Sequence, residues 1–75
     1  MKSVTVMLDT ITKVKDFVNH LITVPYDVDL VSGKYVIDAK SIMGIFSLDL
    51  SKPIELRIYN DDCDALLEKL KPFLA

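Results

Sequence analysis

The 75-residue sequence has one cysteine, one histidine, no tryptophan and only two glycines. A single cysteine excludes an internal disulfide, and no export signal interrupts the mixed charged and polar start of the chain, so a cytoplasmic protein is expected. One histidine and one cysteine are too few for a zinc site, and no metal or cofactor site is expected. Two glycines cannot make a Gly-rich phosphate loop. No nucleophile, base and orienting group can be assembled into a triad, so no catalytic residue is assigned. No apolar run approaches the ~20 residues of a membrane span, which argues against membrane insertion. A net charge of −2 and a pI of about 5.1 disfavour direct nucleic-acid binding.

What is present is a hydrophobic content of 51% against 27% charged residues, enough for a folded chain. The length allows one domain, residues 1–75. Lys2 to Leu8 alternates, with Val4, Val6 and Leu8 on one face, and predicts a strand. Asp9 is placed to cap a helix whose apolar stripe is Ile11, Val14, Phe17, Val18, Leu21 and Ile22. After Pro25, Tyr26, Val28 and Leu30 alternate with Asp27 and Asp29. Ser32-Gly33 turns the chain, and Tyr35 and Ile37 alternate with Lys34, Val36 and Asp38 as the second arm of a hairpin. Residues 41–50 predict a short helix capped by Ser41. Pro53 opens a strand with Ile54, Leu56 and Ile58 inward and Glu55, Arg57 and Tyr59 outward.

The last helix is expected to be capped by Asn60 or Asp61, with Asp61, Asp62 and Asp64 in its first turn and Lys69 and Lys71 in its last. Its stripe is Cys63, Leu66, Leu67, Leu70 and Leu74, and Pro72 marks where it frays. The order β-α-β-β-α-β-α predicts an α+β open-faced sandwich: a four-stranded antiparallel sheet with three helices on one face.

Few residues invite chemistry. His20 lies half a turn around its helix from Ile11 and should face solvent. Cys63 belongs to a core stripe and reads as an inert thiol. Asp61, Asp62 and Asp64 suit a helix dipole better than a metal, and Asp27, Asp29, Glu55 and Arg57 read as a solvated sheet face. The helix after Ser41 is different. Ile42, Met43, Ile45, Phe46, Leu48 and Leu50 spread around its circumference, so one sheet cannot bury them all. Some of Ile42, Met43 and Phe46 should remain exposed, as partner-binding patches do. A phosphate on Ser41 would meet the free N–H groups of the first turn and would add charge beside that patch.

The run Ala39-Lys40-Ser41-Ile42-Met43-Gly44-Ile45-Phe46-Ser47-Leu48 resembles the regulatory-serine segment of HPr. HPr is the small phosphocarrier of the bacterial phosphoenolpyruvate-dependent sugar phosphotransferase system. The predicted element order is similar to that of the HPr fold, and Phe17-Val18 falls where the first helix of HPr carries a similar pair. The resemblance implies that Ser41 is the position modified by the HPr kinase/phosphatase. It implies that Ile42, Met43 and Phe46 belong to the surface that docks enzyme I, sugar permease subunits and the catabolite control regulator. It also sets Thr10 and Thr12, in Met7-Leu8-Asp9-Thr10-Ile11-Thr12-Lys13, near the phosphocarrier histidine and its arginine. Phosphoryl relay needs an imidazole nucleophile and cationic or N–H groups around the transferred charge, and His20 lies roughly 15 Å further along the helix.

Three readings follow. The first is a non-catalytic regulatory module that lacks the carrier histidine, with Ser41 as its switch and the second helix as its docking surface. The second is a working phosphocarrier in sugar uptake. The third is a relative in fold alone that binds an unrelated partner.

Overall fold

A computed structural model describes residues 1–75. Its strands are β1 (Lys2–Val6), β2 (Val28–Ser32), β3 (Tyr35–Asp38) and β4 (Ile54–Ile58). Its helices are α1 (Ile11–Leu21), α2 (Ile42–Phe46) and α3 (Asp64–Leu70), followed by a single 3-10 turn over Lys71–Phe73. The sheet order is β1-β4-β2-β3, and every pair is antiparallel. The architecture is the α+β open-faced sandwich that the alternating strands and amphipathic helices imply.

The pleat divides the side chains. Val4, Leu56, Leu30 and Ile37 form one row across the sheet beneath the helices, and Val6 pairs with Ile54 beside them. The opposite face carries Thr5, Glu55, Val31 and Val36 in one row and Ser3, Arg57, Asp29 and Asp38 in the next. Above the first face lie Val14, Phe17, Val18 and Leu21 of α1, Ile45 of α2, and Leu66 and Leu70 of α3, all buried. All 17 buried residues are apolar, so apart from the Cys63 thiol any chemistry this protein performs belongs to its surface.

The element ends differ from the periodic reading, each for a local reason. β1 stops at Val6, although Leu8 is still buried. Thr10, not Asp9, caps α1: its hydroxyl accepts from the Lys13 N–H at 3.1 Å, while Asp9 pairs with the Lys13 ammonium at 3.0 Å. Ile11 and Ile22 are exposed because they stand at the two ends of α1, which an apolar period does not locate. The hairpin turn is Gly33-Lys34 rather than Ser32-Gly33. Gly33 has φ +58° and Lys34 an ordinary φ, as in a type II′ turn with glycine first. Tyr35 is exposed beside this tip.

α2 ends at Phe46, where the backbone tightens to bonds three residues back: the Ser47 N–H donates to the Gly44 carbonyl at 3.1 Å and the Leu48 N–H to the Ile45 carbonyl at 3.0 Å, and the Ser47 hydroxyl also donates to the Gly44 carbonyl. Leu48 and Leu50 reach the core from the following loop. α3 starts late, with Cys63 at the cap position and no side-chain cap bond, because Asn60 is occupied accepting from the Asp62 N–H at 2.8 Å. Only Asp64 is acidic in its first turn. Asp61 instead meets the N-terminal amine, and Lys71 lies beyond the helix. The tighter turn at Pro72 shifts the phase, so Phe73 is buried and Leu74 is exposed.

The chain's last residues then run along the outer edge of β1. The Met7 N–H donates to the Phe73 carbonyl at 2.8 Å, the Ala75 N–H donates to the Thr5 carbonyl at 2.9 Å, and Val6 bridges Leu74.

Two outcomes are expected. Leu56→Ala removes the centre of the inward row and should lower unfolding free energy by about 2–5 kcal/mol in denaturant titration. A loss below about 1 kcal/mol would mean the row is not packed as described. The second concerns acid. Lys13 holds the Asp9 carboxyl below its ordinary range, Arg57 does the same for Glu55, and the N-terminal amine for Asp61. A carboxylate that binds its proton less readily when folded stabilises the fold above its ordinary pKa, and loses that contribution as pH falls through the lowered value. Melting temperature should therefore drop on acidification below about pH 4.5, and less steeply in high salt because these pairs are exposed.

Candidate functional site

The surface around α2 is built by its sequence. Ser41 is extended (φ −99°, ψ 105°), and its hydroxyl accepts from the Gly44 N–H at 3.3 Å, which starts the helix. Once that cap fixes the helix phase, Ile45 points into the core and Ile42 packs half-buried against it. Met43 and Phe46, three residues apart on one flank, then face outward, 77% and 41% exposed. A methionine and a phenylalanine left out of an otherwise apolar core form an adaptable apolar patch beside an exposed hydroxyl.

Gly44 stands between Ser41 and β3. A Cβ there would lie 3.4 Å from both Ile37 Cδ1 and the Ser41 hydroxyl oxygen, at ordinary contact distance. A methyl group there would therefore touch both neighbours without displacing either.

Lys40 is a positioning residue that the periodic reading missed. Its ammonium donates to the Val24 carbonyl at 2.8 Å, in the loop after α1, and its backbone N–H donates to the Asp38 carboxylate at 2.9 Å. The lysine beside Ser41 thus ties the loop before β2 to the loop before α2. Nothing in a 3.6-residue period signals a side-chain bond of this kind.

The threonines lie on another element. Thr10 and Thr12 are both exposed at the start of α1. The Thr10 hydroxyl is committed to the Lys13 N–H, and the neighbouring Asp9 carboxylate to the Lys13 ammonium. No carboxylate or imidazole is bonded to either threonine hydroxyl to act as a base. Ser41, Ile42, Met43 and Phe46 share one short helix, which packs in the same layer as α1.

His20 departs from expectation. It is half-buried, with its ring edge-to-face on Phe73 at 6.0 Å, and Phe73 in turn meets Phe17 at 5.7 Å. Ile11, from which His20 lies half a turn away, stands at the end of the stripe. His20 is only ~60° around the helix from Phe17, near the stripe's centre. It lines a groove of about 460 Å³ with Lys13, Asp16, Asn19, Pro72 and Phe73. A second groove, of about 510 Å³, separates the β2–β3 tip from the loop after α2. Cys63 is buried as its stripe position implies. No three His, Cys, Asp or Glu side chains converge as metal ligands, and no helix is long and apolar enough to cross a membrane.

No protein-family model and no curated protein matches the sequence. Solved structures do match. Over 93% of this chain and 86% of the other, the structure is similar to HPr-C-His from Thermoanaerobacter tengcongensis, with a TM-score of 0.77 and 26% identity. A phosphocarrier protein HPr from Bacillus anthracis str. Ames covers 99% of this chain and 94% of its own, with a TM-score of 0.72 and 26% identity. The chain has an HPr-like fold. Both comparisons span nearly all of it, so the HPr-like likeness includes α1 and α2 together with the whole sheet.

Two substitutions test this corner. Lys40→Met keeps the aliphatic stem and removes the tie to Val24, and should lower stability by about 1–2 kcal/mol. Ser41→Ala removes the cap and should cost about 1 kcal/mol. Both are read by urea titration. Equal stability in Lys40→Met would show that the ammonium merely rests on that carbonyl.

Proposed function

We propose that this HPr-like protein is a non-catalytic binding module of the phosphotransferase and carbon-catabolite regulation type. Ser41 is its phosphorylatable serine, and Ile42, Met43 and Phe46 are its docking residues. The observation that carries the reading is the exposure of Met43 and Phe46 on a helix whose cap hydroxyl is itself exposed. A phosphate on Ser41 changes the charge next to that patch by nearly two units. A partner lined with arginine gains from this, and an acidic or purely apolar partner loses. The partners are the HPr kinase/phosphatase, enzyme I or permease subunits, and the catabolite control regulator, acting on one domain in the cytoplasm.

The positions near the carrier histidine and its arginine hold Thr10 and Thr12, which weighs against phosphoryl relay. A threonine hydroxyl committed to capping, without a base, is a weak nucleophile. The similarity to phosphocarrier structures keeps the carrier reading as the alternative.

One experiment separates them by intact mass. The protein is incubated with enzyme I and phosphoenolpyruvate, and in parallel with HPr kinase and ATP. The expected result is one phosphate from the kinase only, absent in Ser41→Ala. Transfer from enzyme I would establish the carrier reading, and no phosphate in either tube would leave only the fold in common. Met43→Asp should weaken partner binding about tenfold or more while leaving the melting temperature within a few degrees.

A further inference from the structure

The two outer edges of the sheet are treated differently. The Thr5–Met7 end of the β1 edge is paired with the chain's own residues Phe73 to Ala75. Nothing covers the edge of β3, where Tyr35 and Val36 are 71% and 56% exposed. An open, apolar edge strand is a template for another strand.

The hydrogen-bond phase of β3 fixes which groups are free. The Ala39 N–H donates to the Val28 carbonyl at 2.9 Å, so Val28 and Ala39 form a bonded pair. Bonded and non-bonded pairs alternate along an antiparallel ladder. Leu30–Ile37 and Ser32–Tyr35 are therefore the bonded pairs, and Val31–Val36 and Asp29–Asp38 are not. The N–H and carbonyl of Val36 and the N–H of Asp38 consequently point away from β2. The Asp38 carbonyl is occupied by the Ser41 N–H at 3.0 Å.

Apart from the Glu55–Arg57 pair, the strand charges on the open face near β3 are unmet. Asp38 stands directly opposite Asp29, an unfavourable like-charge pair, and neither carboxylate has a cationic partner within bridging distance. Lys34, on the same edge, is likewise unpaired and exposed.

We propose that two copies of this chain pair edge to edge through β3, antiparallel, in the register centred on Val36. An antiparallel copy must set outward-pointing residues against outward-pointing residues. Val36 can then face Lys34, Val36 or Asp38 of the second copy. Only the Val36–Val36 register places Lys34 opposite Asp38, and the two-fold axis does so twice. The two Val36 residues then exchange both backbone bonds, Tyr35 lies opposite Ile37, and each Asp38 gains the cation its own sheet does not supply. The occupant is a second copy because the strand is self-complementary in that register.

Sedimentation over a concentration series gives the first test, with the weight-average mass expected to rise from 8.5 kDa towards twice that value. Lys34→Asp and Asp38→Lys each place like charges across the axis, and each should weaken self-association about tenfold or more. Mixed together, the two variants regain both opposite-charge contacts and should form a mixed dimer about as readily as wild type. Asp38→Lys also loses the bond from the Lys40 N–H, so its melt is recorded alongside. A reading free of variants is the Val36 amide, which should exchange fast when dilute and be protected when concentrated. A wild-type mass of 8.5 kDa at every concentration, or a Val36 amide that always exchanges fast, overturns the proposal. So does undiminished dimerisation of both variants; a β3 edge that accepts only an extended peptide of another protein gives the same negative results here.

Discussion

The structure depends on the insertion of β4 between β1 and β2. β4 pairs with β1 on one side and β2 on the other, and its inward residues Ile54, Leu56 and Ile58 are all buried. Without it, β1 has no strand partner but the chain's last residues. α1 is the connection between two strands that lie on opposite sides of β4, and α2 connects β3 to β4 across β2. Each helix therefore spans a gap that a later or earlier part of the chain fills. The layer exists only when the whole chain is assembled, which makes the packing non-local and argues for one cooperative transition.

That dependence explains why the candidate site is a surface and not a pocket. The core is wholly apolar and holds no polar group to aim at a substrate. α2 is too short to bury all its apolar residues, and the cap at Ser41 decides which ones stay outside. One hydroxyl thus sets both the start of the helix and the direction of Met43 and Phe46. Lys40 fixes the approach to that cap from the far end of α1 through the Val24 carbonyl. A modification of Ser41 would act on a group that already organises its neighbourhood, and a change there would be felt by the helix as well as by a docked partner.

The strands were legible because their inward residues alternate without interruption: Val4 and Val6, Val28 and Leu30, and Ile54, Leu56 and Ile58. The helix stripes were legible at Val14, Phe17, Val18 and Leu21 for the same reason. What could not be read was where competing local bonds end an element. Asp9 and Thr10 are both competent caps, and only the bond to the Lys13 N–H distinguishes them. The exchange of Leu74 for Phe73 in the core follows from one tight turn at Pro72, which moves the phase without changing the composition. At the site, Ser41, Met43 and Phe46 were legible from crowding of apolar residues behind a capping serine. The Lys40 tie and the seating of His20 on Phe73 were not, because each joins segments distant in sequence.

The residues Phe73 to Ala75 along β1 do more than shield one edge. A sheet with two open margins can add strands without limit, as cross-β fibres do. Here the Thr5–Met7 end of one margin is occupied by the molecule's own backbone, which shortens the template that margin offers. A chain that lost those last residues would expose that margin along its full length and would be more open to propagation from both sides.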